Sequence, residues 1–219
     1  MTGAVTGMPE LHPPVPAAAP FRLRWTRAGG VLVVIGVPTV LALVVHHFAS
    51  SALVTTLFHY SPDRFVGGQV WTLVLSGLLP PKLGNIGLTT ILMTVVLVPY
   101  VLVRGPWRAV GRFLAGHVGA TLAVAVFVLP AAALGSDGAA AVARTPDFGV
   151  SAGLAAVAGA LVVVVWRRWS PLAGVLSLAA VFGFFAIHLL TTTSLGHHLS
   201  ETEHLIAAGM GIVLERRSR

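Results

Sequence analysis

The chain has no cysteine among its 219 residues, which excludes disulfides, thiolate metal sites and a cysteine nucleophile. Charged side chains are also scarce, at 10% of the residues, while 56% are hydrophobic and the mean hydropathy is +0.88. A soluble domain of this length buries only roughly 70% of its chain, so it would leave a large apolar area in water. We therefore predict an all-α membrane protein.

Six segments with few or no charged residues are candidate membrane-spanning helices. They are residues 29–48, 86–103, 113–134, 150–166, 172–190 and 200–214. A hydrocarbon core of about 30 Å requires about 20 helical residues, and the first five segments meet or nearly meet that length. The sixth is shorter and begins with polar residues, so we expect it inside the bundle, beside a water-filled cavity open to the exterior.

The net charge of +7 would suit nucleic-acid binding, but the positions of the basic residues indicate membrane orientation instead. Three arginines precede the first span, three join the second to the third, two join the fourth to the fifth and three follow the sixth, which makes 11 of the 14 basic residues. The positive-inside rule places that side, and with it both chain termini, in the cytoplasm. We expect contact with the lipid bilayer and no nucleic-acid partner.

Three regions follow from this arrangement. Residues 1–28 are rich in proline and then basic, and we expect a disordered cytoplasmic tail there. Residues 29–215 form the membrane domain, and residues 216–219 form a basic cytoplasmic end. A cleaved signal peptide is the rival interpretation of the first span, but its long apolar stretch and late basic cluster favour retention.

Ser151 and His204 are the candidate catalytic residues. Thr145-Pro146-Asp147 predicts the start of the fourth span, and Ser200 with Glu203 forms a capping-box pattern that predicts the start of the sixth. Ser151 would then lie about 6–9 Å, and His204 about 6 Å, along parallel helices that both run inward. A hydroxyl and an imidazole at equal depth are the two groups that a serine hydrolase requires.

Small residues recur at four-residue spacing on both of these helices, and such spacing lets membrane helices pack backbone to backbone. The pairs are Ala152 and Ala156, Ala155 and Gly159, and Ala207 and Gly211. Taken singly, a serine in a membrane helix or a histidine at a helix end is more often structural. The equal depth and the small-residue faces together favour a serine–histidine pair.

These residues resemble the rhomboid family of intramembrane serine proteases. The resemblance rests on Gly149-x-Ser151, on His204 located 53 residues after that serine, on Gly211 seven residues further, and on Gly68-Gln69-Val70-Trp71 in the first external loop. It covers residues 29–214 and implies a six-transmembrane-helix rhomboid-like bundle. It also implies a serine–histidine dyad that cleaves transmembrane helices of single-span membrane proteins near the outer face, in a bacterial inner membrane.

The second span of the family opens with a His and an Asn four residues apart, which help to stabilise the oxyanion. By placement relative to Trp71, those positions are Asn85 and Thr89 here, and the resemblance implies supporting roles for both and for Gly149. The glycine that follows the family's nucleophile is Ala152 in this chain. These departures favour an alternative function, a catalytically inactive rhomboid-like protein that binds or chaperones transmembrane helices. Retention of the serine and the histidine favours the protease.

No cofactor is expected. His197 and Glu201 are four residues apart, but the chain has no His-Glu-x-x-His motif, so we predict no metal site. His188, near the outer end of the fifth span, is the rival candidate for the base. Glu203 adjoins His204 in sequence and is expected to point elsewhere on the helix. A channel or transporter is disfavoured because the sequence shows no paired broken helices.

Overall fold

The computed structural model describes residues 25–80, 83–147 and 150–218. The regular structure of this part is helical. Its elements are α1 (Trp25–Phe48), α2 (Ser51–Phe58), α3 (Pro62–Val66), α4 (Thr72–Leu75), 3-10 turns at Ser76–Leu78 and Leu83–Asn85, α5 (Ile86–Arg104), α6 (Pro106–Ala133), α7 (Asp137–Arg144), α8 (Val150–Arg168), α9 (Pro171–Thr191) and α10 (Leu195–Arg217). Of the sequence predictions, the tail up to residue 24 and Gly149 lie outside the described residues.

Five helices are long and apolar enough to cross a membrane, which supports a multi-pass membrane protein. They are Arg27–Phe48, Leu83–Arg104, Pro106–Ala133, Val150–Arg168 and Pro171–Thr191. These correspond to the first five predicted spans, and the all-α prediction is confirmed for the described residues. The sixth predicted segment lies within α10, which is not among the five. Since the first half of α10 carries Glu201 and Glu203 among its histidines, its role as a span stays a prediction.

Two predicted helix starts are wrong. Helix α10 begins at Leu195, because the hydroxyl of Ser194 caps it by accepting a hydrogen bond from the His197 backbone N–H. The capping-box pattern at Ser200 therefore lies inside the helix. Thr145 ends the unpredicted helix α7 and does not begin α8, since its backbone N–H bonds to the carbonyl of Val142.

A backbone bridge explains why α8 does not begin at residues 145–147. The N–H of Asp147 donates to the carbonyl of Tyr60 at 2.8 Å, and the N–H of Tyr60 donates to the carbonyl of Asp147 at 3.3 Å. This pairing holds Asp147 in an extended strand-like contact with the segment between α2 and α3. Ser151 is consequently the second residue of α8, closer to the helix end than the sequence predicted.

Helix α8 is the central element of the bundle. In its most apolar stretch, 72% of the residues are buried, against at most 33% in the other four candidate spans. Its side chains Leu154, Val157 and Val164 pack into a cluster with Leu97 and Tyr100 of α5. A helix enclosed in this way can place a residue inside the protein at a fixed position.

Helices α8 and α10 pack backbone to backbone. A Cβ atom added to Gly211 would lie 1.8 Å from the carbonyl oxygen of Ala156, and one added to Gly159 would lie 2.1 Å from the carbonyl oxygen of Ala208. Real side chains do not tolerate such distances, so only glycine permits this approach. The predicted small-residue contact between the two helices is therefore present, and it sets their separation.

Replacing Gly211 with alanine should destabilise the protein, because the methyl group would force α10 away from α8. We expect a loss of about 1–3 kcal/mol in the free energy of unfolding, the usual cost of overpacking a dense core. It can be measured by denaturant titration in detergent micelles, followed by circular dichroism.

Gly209→Ala is the matched control on the same helix. A Cβ atom at Gly209 meets nothing within 4 Å, and alanine has the higher helix propensity, by about 0.8–1.0 kcal/mol. This control should be as stable as the natural chain or more stable. Equal unfolding free energies for the two variants would contradict the close-packing interpretation.

An ionic network joins α5, α6 and α10 at what we call the arginine-rich end of the bundle, defined by Arg104, Arg112, Arg167 and Arg216. The carboxylate of Glu215 is fully buried there. Its Oε1 lies 2.7 Å from Nε of Arg104, and its Oε2 lies 3.2 Å from Nε of Arg112. The hydroxyl of Tyr100 donates to Oε2 at 2.6 Å. One carboxylate thus ties three helices together.

Glu215→Gln should destabilise the bundle, because two guanidinium groups would lose their counter-charge. Removing one partner of a buried ion pair costs about 3–5 kcal/mol, and the partial solvent access of both arginines places the expected loss at the lower part of that range. Asp137→Asn, at an exposed acid of α7, is the control and should change stability little. Thermal unfolding in the same detergent compares the two variants, and equal losses would contradict the network's role.

Candidate active site

Ser151 and His204 form a hydrogen-bonded pair between α8 and α10. The distance from Ser151 Oγ to His204 Nε2 is 2.8 Å. Ser151 lies at the start of α8 and is exposed, whereas His204 lies in the tenth position of α10 and is largely buried. The contact follows from the glycine-mediated approach of the two helices. The proximity that the sequence hypothesis required is therefore present.

The imidazole of His204 is held from two further directions. Its Nδ1 lies 3.2 Å from Oε2 of Glu201, one helical turn earlier on α10. Its ring stacks on Phe185 of α9, with ring centroids 4.9 Å apart and planes inclined by 29°. When a neutral imidazole donates its Nδ1–H to a carboxylate, its Nε2 lone pair is free to accept a proton. Glu201 and Phe185 thus orient Nε2 toward Ser151.

The backbone at Ser151 contributes hydrogen-bond donors. The first four N–H groups of an α-helix have no intrahelical acceptor, and Ser151 is the second residue of α8. Such groups point out of the helix end and, with the helix dipole, favour negative charge nearby. An exposed hydroxyl and an oriented imidazole therefore meet at the start of a described helix, where the helix dipole favours negative charge.

The supporting residues taken from the family resemblance are not joined to this pair. Within the described residues, neither Asn85 nor Thr89 forms a hydrogen bond to Ser151 or His204. Asn85 ends a 3-10 turn, is exposed and provides no side-chain cap for α5. Thr89 is partly buried and lines a small cavity with Pro38 and other residues of α1.

A second serine–histidine pair lies inside the protein. Ser76 Oγ is 3.1 Å from His117 Nε2, and neither residue has any solvent-exposed surface. Gly77 packs directly on the same imidazole, since an added Cβ atom would lie 2.7 Å from its Cδ2. No substrate can reach this pair without unfolding the segment, so it fastens the loop before α5 to α6. Because Ser151 is exposed and Ser76 is buried, Ser151 is the candidate that a substrate could reach.

Two other side chains were weighed from the sequence. Glu203 points away from the imidazole, and its Oε1 accepts a hydrogen bond from the Thr121 hydroxyl on α6. His188, the rival base, contacts Phe184 of its own helix and has no hydrogen bond to Ser151 in the described structure. Among the residues that the structure describes, no three histidine, aspartate or glutamate side chains group as a metal site would need.

Glu201 is the residue that the sequence reasoning missed. It was considered only together with His197 as a pair of metal ligands. The signal was its spacing, because residues three apart on a helix share a face and Glu201 precedes His204 by three.

Comparison with protein-family models, with curated proteins and with solved structures finds no match to this chain. The function proposed below therefore rests on the residues of the site and their geometry.

Glu201→Ala should change the tautomer of His204. Without the carboxylate, Nδ1–H loses its acceptor, and a hydrogen bond to a charged group contributes about 1.5–3 kcal/mol. We expect the population protonated on Nδ1 to fall by roughly 10- to 100-fold relative to that protonated on Nε2. Nitrogen-15 spectra of histidine-labelled protein in mildly alkaline solution report this ratio, with His204→Ala assigning the signals. Glu203→Gln is the control, and an unchanged tautomer in Glu201→Ala would contradict the orienting role.

Proposed function

We propose that the chain is a rhomboid-like intramembrane serine protease that hydrolyses peptide bonds of membrane-spanning helices. The observation that supports this most directly is the 2.8 Å contact between Ser151 Oγ and His204 Nε2, with Glu201 on the opposite nitrogen. A nucleophile, a base and a group orienting the base within hydrogen-bond distance of one another form the arrangement used by serine hydrolases.

In the first half of the reaction, Ser151 Oγ attacks the carbonyl carbon of the peptide bond while His204 Nε2 accepts the hydroxyl proton. The imidazolium that forms is stabilised by the Glu201 carboxylate on Nδ1. His204 then gives the proton to the leaving amine nitrogen as the carbon–nitrogen bond breaks. The products are a free amine and an ester between the substrate's acyl group and Ser151.

In the second half, a water molecule attacks the ester, and His204 Nε2 accepts its proton. The bond to Ser151 Oγ breaks, and the proton returns to that oxygen. A carboxylic acid is released and the serine is regenerated. Water must reach Ser151 for this step, and the exposure of Ser151 and the polar first turns of α10 provide a hydrated approach.

The developing negative oxygen would be stabilised by backbone amides at the start of α8, the Ser151 N–H among them. Losing one such donor costs about 100- to 1000-fold in rate. Gly149 precedes these amides, and Asn85 and Thr89 are the side chains that the family resemblance assigns to support. In this proposal the backbone is the principal donor, since neither side chain bonds to the pair.

The membrane arrangement is part of the proposal. We infer that α10 is the sixth span and that both termini are cytoplasmic, because α5, α8 and α10 end at the arginine-rich end. Ser151 is 16 residues from Arg167 along α8, about 24 Å, and this separation from the arginine-rich end supports a dyad near the outer face. The substrates would be single-span membrane proteins, and the location a bacterial inner membrane.

A fluorophosphonate probe tests the proposal, because it bonds covalently to activated serines. Detergent-solubilised natural chain should be labelled at Ser151, as identified by peptide mass. Labelling should vanish in Ser151→Ala and fall by roughly 100-fold or more in His204→Ala, since a general base contributes about that much to the rate.

Ser76→Ala is the matched control, because it removes the hydroxyl of the buried pair and leaves the exposed one. It should keep the labelling rate as long as circular dichroism shows a folded protein. Absence of labelling in the folded natural chain would contradict the protease and favour a catalytically inactive binder of transmembrane helices. Labelling that persists in His204→Ala would contradict the assignment of the base.

A further inference from the structure

A groove opens between three helix ends at the arginine-rich end of the bundle. It has a volume of about 360 Å³ and lies between the last turns of α8 and α10 and the first turns of α9. Its lining residues are Val162, Val163, Trp166, Arg167, Leu178, Ile212 and Arg216. The groove lies at the opposite end of α8 from Ser151, so a ligand bound there would not contact the candidate active site.

The deep part of the groove is apolar. Val162, Val163, Leu178 and Ile212 form its floor, without a polar side chain among them. Val162 lies five residues before Arg167 on α8, so the apolar floor extends about 7–8 Å below the arginine along the helix axis. A floor of this depth suits hydrocarbon, which is the medium around spans of this composition.

Two arginines, Arg167 and Arg216, line the groove at the ends of α8 and α10. Nη2 of Arg167 donates to the carbonyl oxygen of Arg216 at 3.0 Å, which holds the α8 arginine across the end of α10. Both arginines are exposed, and no carboxylate of the described residues pairs with either. Glu215, the acid nearest in sequence, is buried in its pairs with Arg104 and Arg112. Among the residues that the structure describes, the two positive charges of Arg167 and Arg216 therefore have no carboxylate partner.

Tryptophans mark the depth of these arginines in the membrane. Trp166 lines the groove, and Trp169 follows it at the end of α8, with 41% and 71% of their surfaces exposed. Gly174 of α9 packs closely against Trp166 of α8, since a Cβ atom added to Gly174 would lie 2.7 Å from Cβ of Trp166. This contact restrains the backbone of Trp166. Tryptophans at helix ends lie at the level of the lipid headgroups. The arginines beside them are thus at the height of lipid phosphates.

We propose that this groove binds an anionic phospholipid, with its phosphate between Arg167 and Arg216 and part of one acyl chain on the apolar floor. Guanidinium groups bind phosphate oxygens in a bidentate manner, and basic pockets between membrane helices are known to hold anionic headgroups. The surplus of positive charge selects phosphatidylglycerol, which is anionic, over phosphatidylcholine, whose headgroup is neutral. The apolar floor selects a lipid over free phosphate.

Native mass spectrometry of the full chain in detergent tests the proposal, with phosphatidylglycerol and phosphatidylcholine of identical acyl chains as probes. The natural chain should bind the anionic lipid at least about 10-fold more tightly. The double variant Arg167→Gln/Arg216→Gln should lose roughly 10- to 30-fold in affinity for phosphatidylglycerol, because each arginine near a phosphate contributes about a factor of 5. Its affinity for phosphatidylcholine should be unchanged.

Arg108→Gln/Arg144→Gln is the control, since it removes two exposed arginines that lie outside the groove. It therefore has the same net charge as the groove double variant. It should bind phosphatidylglycerol as the natural chain does. Equal weakening in both double variants would overturn the proposal, as would unchanged binding in the groove variant or equal affinity for the two lipids. Displacement of the lipid by inorganic phosphate at equal concentration would also overturn it.

A second variant tests the apolar floor and covers the case in which the charge variant does not fold. Leu178→Trp fills the groove while keeping both arginines, and it should weaken binding of phosphatidylglycerol by roughly 10-fold, since the lost burial of two methylene groups corresponds to about that factor. Circular dichroism checks that the variant is folded. Undiminished phosphatidylglycerol binding by folded Leu178→Trp would overturn the placement of the acyl chain.

Discussion

Helices α8 and α10 touch backbone to backbone at Gly159 and Gly211, and the geometry of the candidate site follows from that contact. Gly159 lies in the middle of α8 and Gly211 in the last third of α10, eight residues after Ser151 and seven residues after His204 respectively. Two helices in backbone contact about two turns from these side chains have little freedom to separate at them. A hydrogen bond of 2.8 Å between side chains on different helices needs such a fixed separation. The position of the hydroxyl relative to the imidazole is therefore set by packing, some distance from the chemistry itself.

The two ends of the bundle use a carboxylate in different ways, one in a buried ionic network and the other beside a single histidine. At the arginine-rich end, Glu215 is buried and fully engaged with Arg104 and Arg112. At the other end, Glu201 faces His204 and keeps some contact with solvent. A carboxylate enclosed by cations stabilises one arrangement of helices. A carboxylate beside a single imidazole can form an ion pair with it when the imidazole gains a proton.

Much of the membrane fold was predictable from composition. The predicted spans 150–166 and 172–190 differ from α8 and α9 by at most two residues at either end, because apolar runs bounded by arginine, proline or serine define them. The third span begins seven residues earlier than predicted, since α6 starts at Pro106 and includes arginines that were taken for a loop. Helix continuation past a charged residue costs little when that residue faces the membrane surface.

The meeting of Ser151 and His204 could be inferred because small residues on both helices indicated their close contact. The starts of those helices could not be inferred, because they depend on contacts that the local sequence does not record. Both Ser194 and Ser200 can cap a helix, and the choice depends on how the preceding chain turns. The bridge between Tyr60 and Asp147 joins segments 87 residues apart, which no local pattern records. The role of Glu201 became visible only once the helix start was known.

That bridge also restrains the backbone close to Ser151. Asp147 is pinned to the segment between α2 and α3 only four residues before Ser151, and burial of Tyr60 with the nearby carboxylates of Glu203 and Asp147 raises the pKa of its phenol and keeps it neutral. Asp147 is thus anchored to a distant part of the protein. Fixing its backbone removes conformational freedom close to Ser151, so less entropy remains to be lost when the Ser151 hydroxyl is held in one direction toward His204.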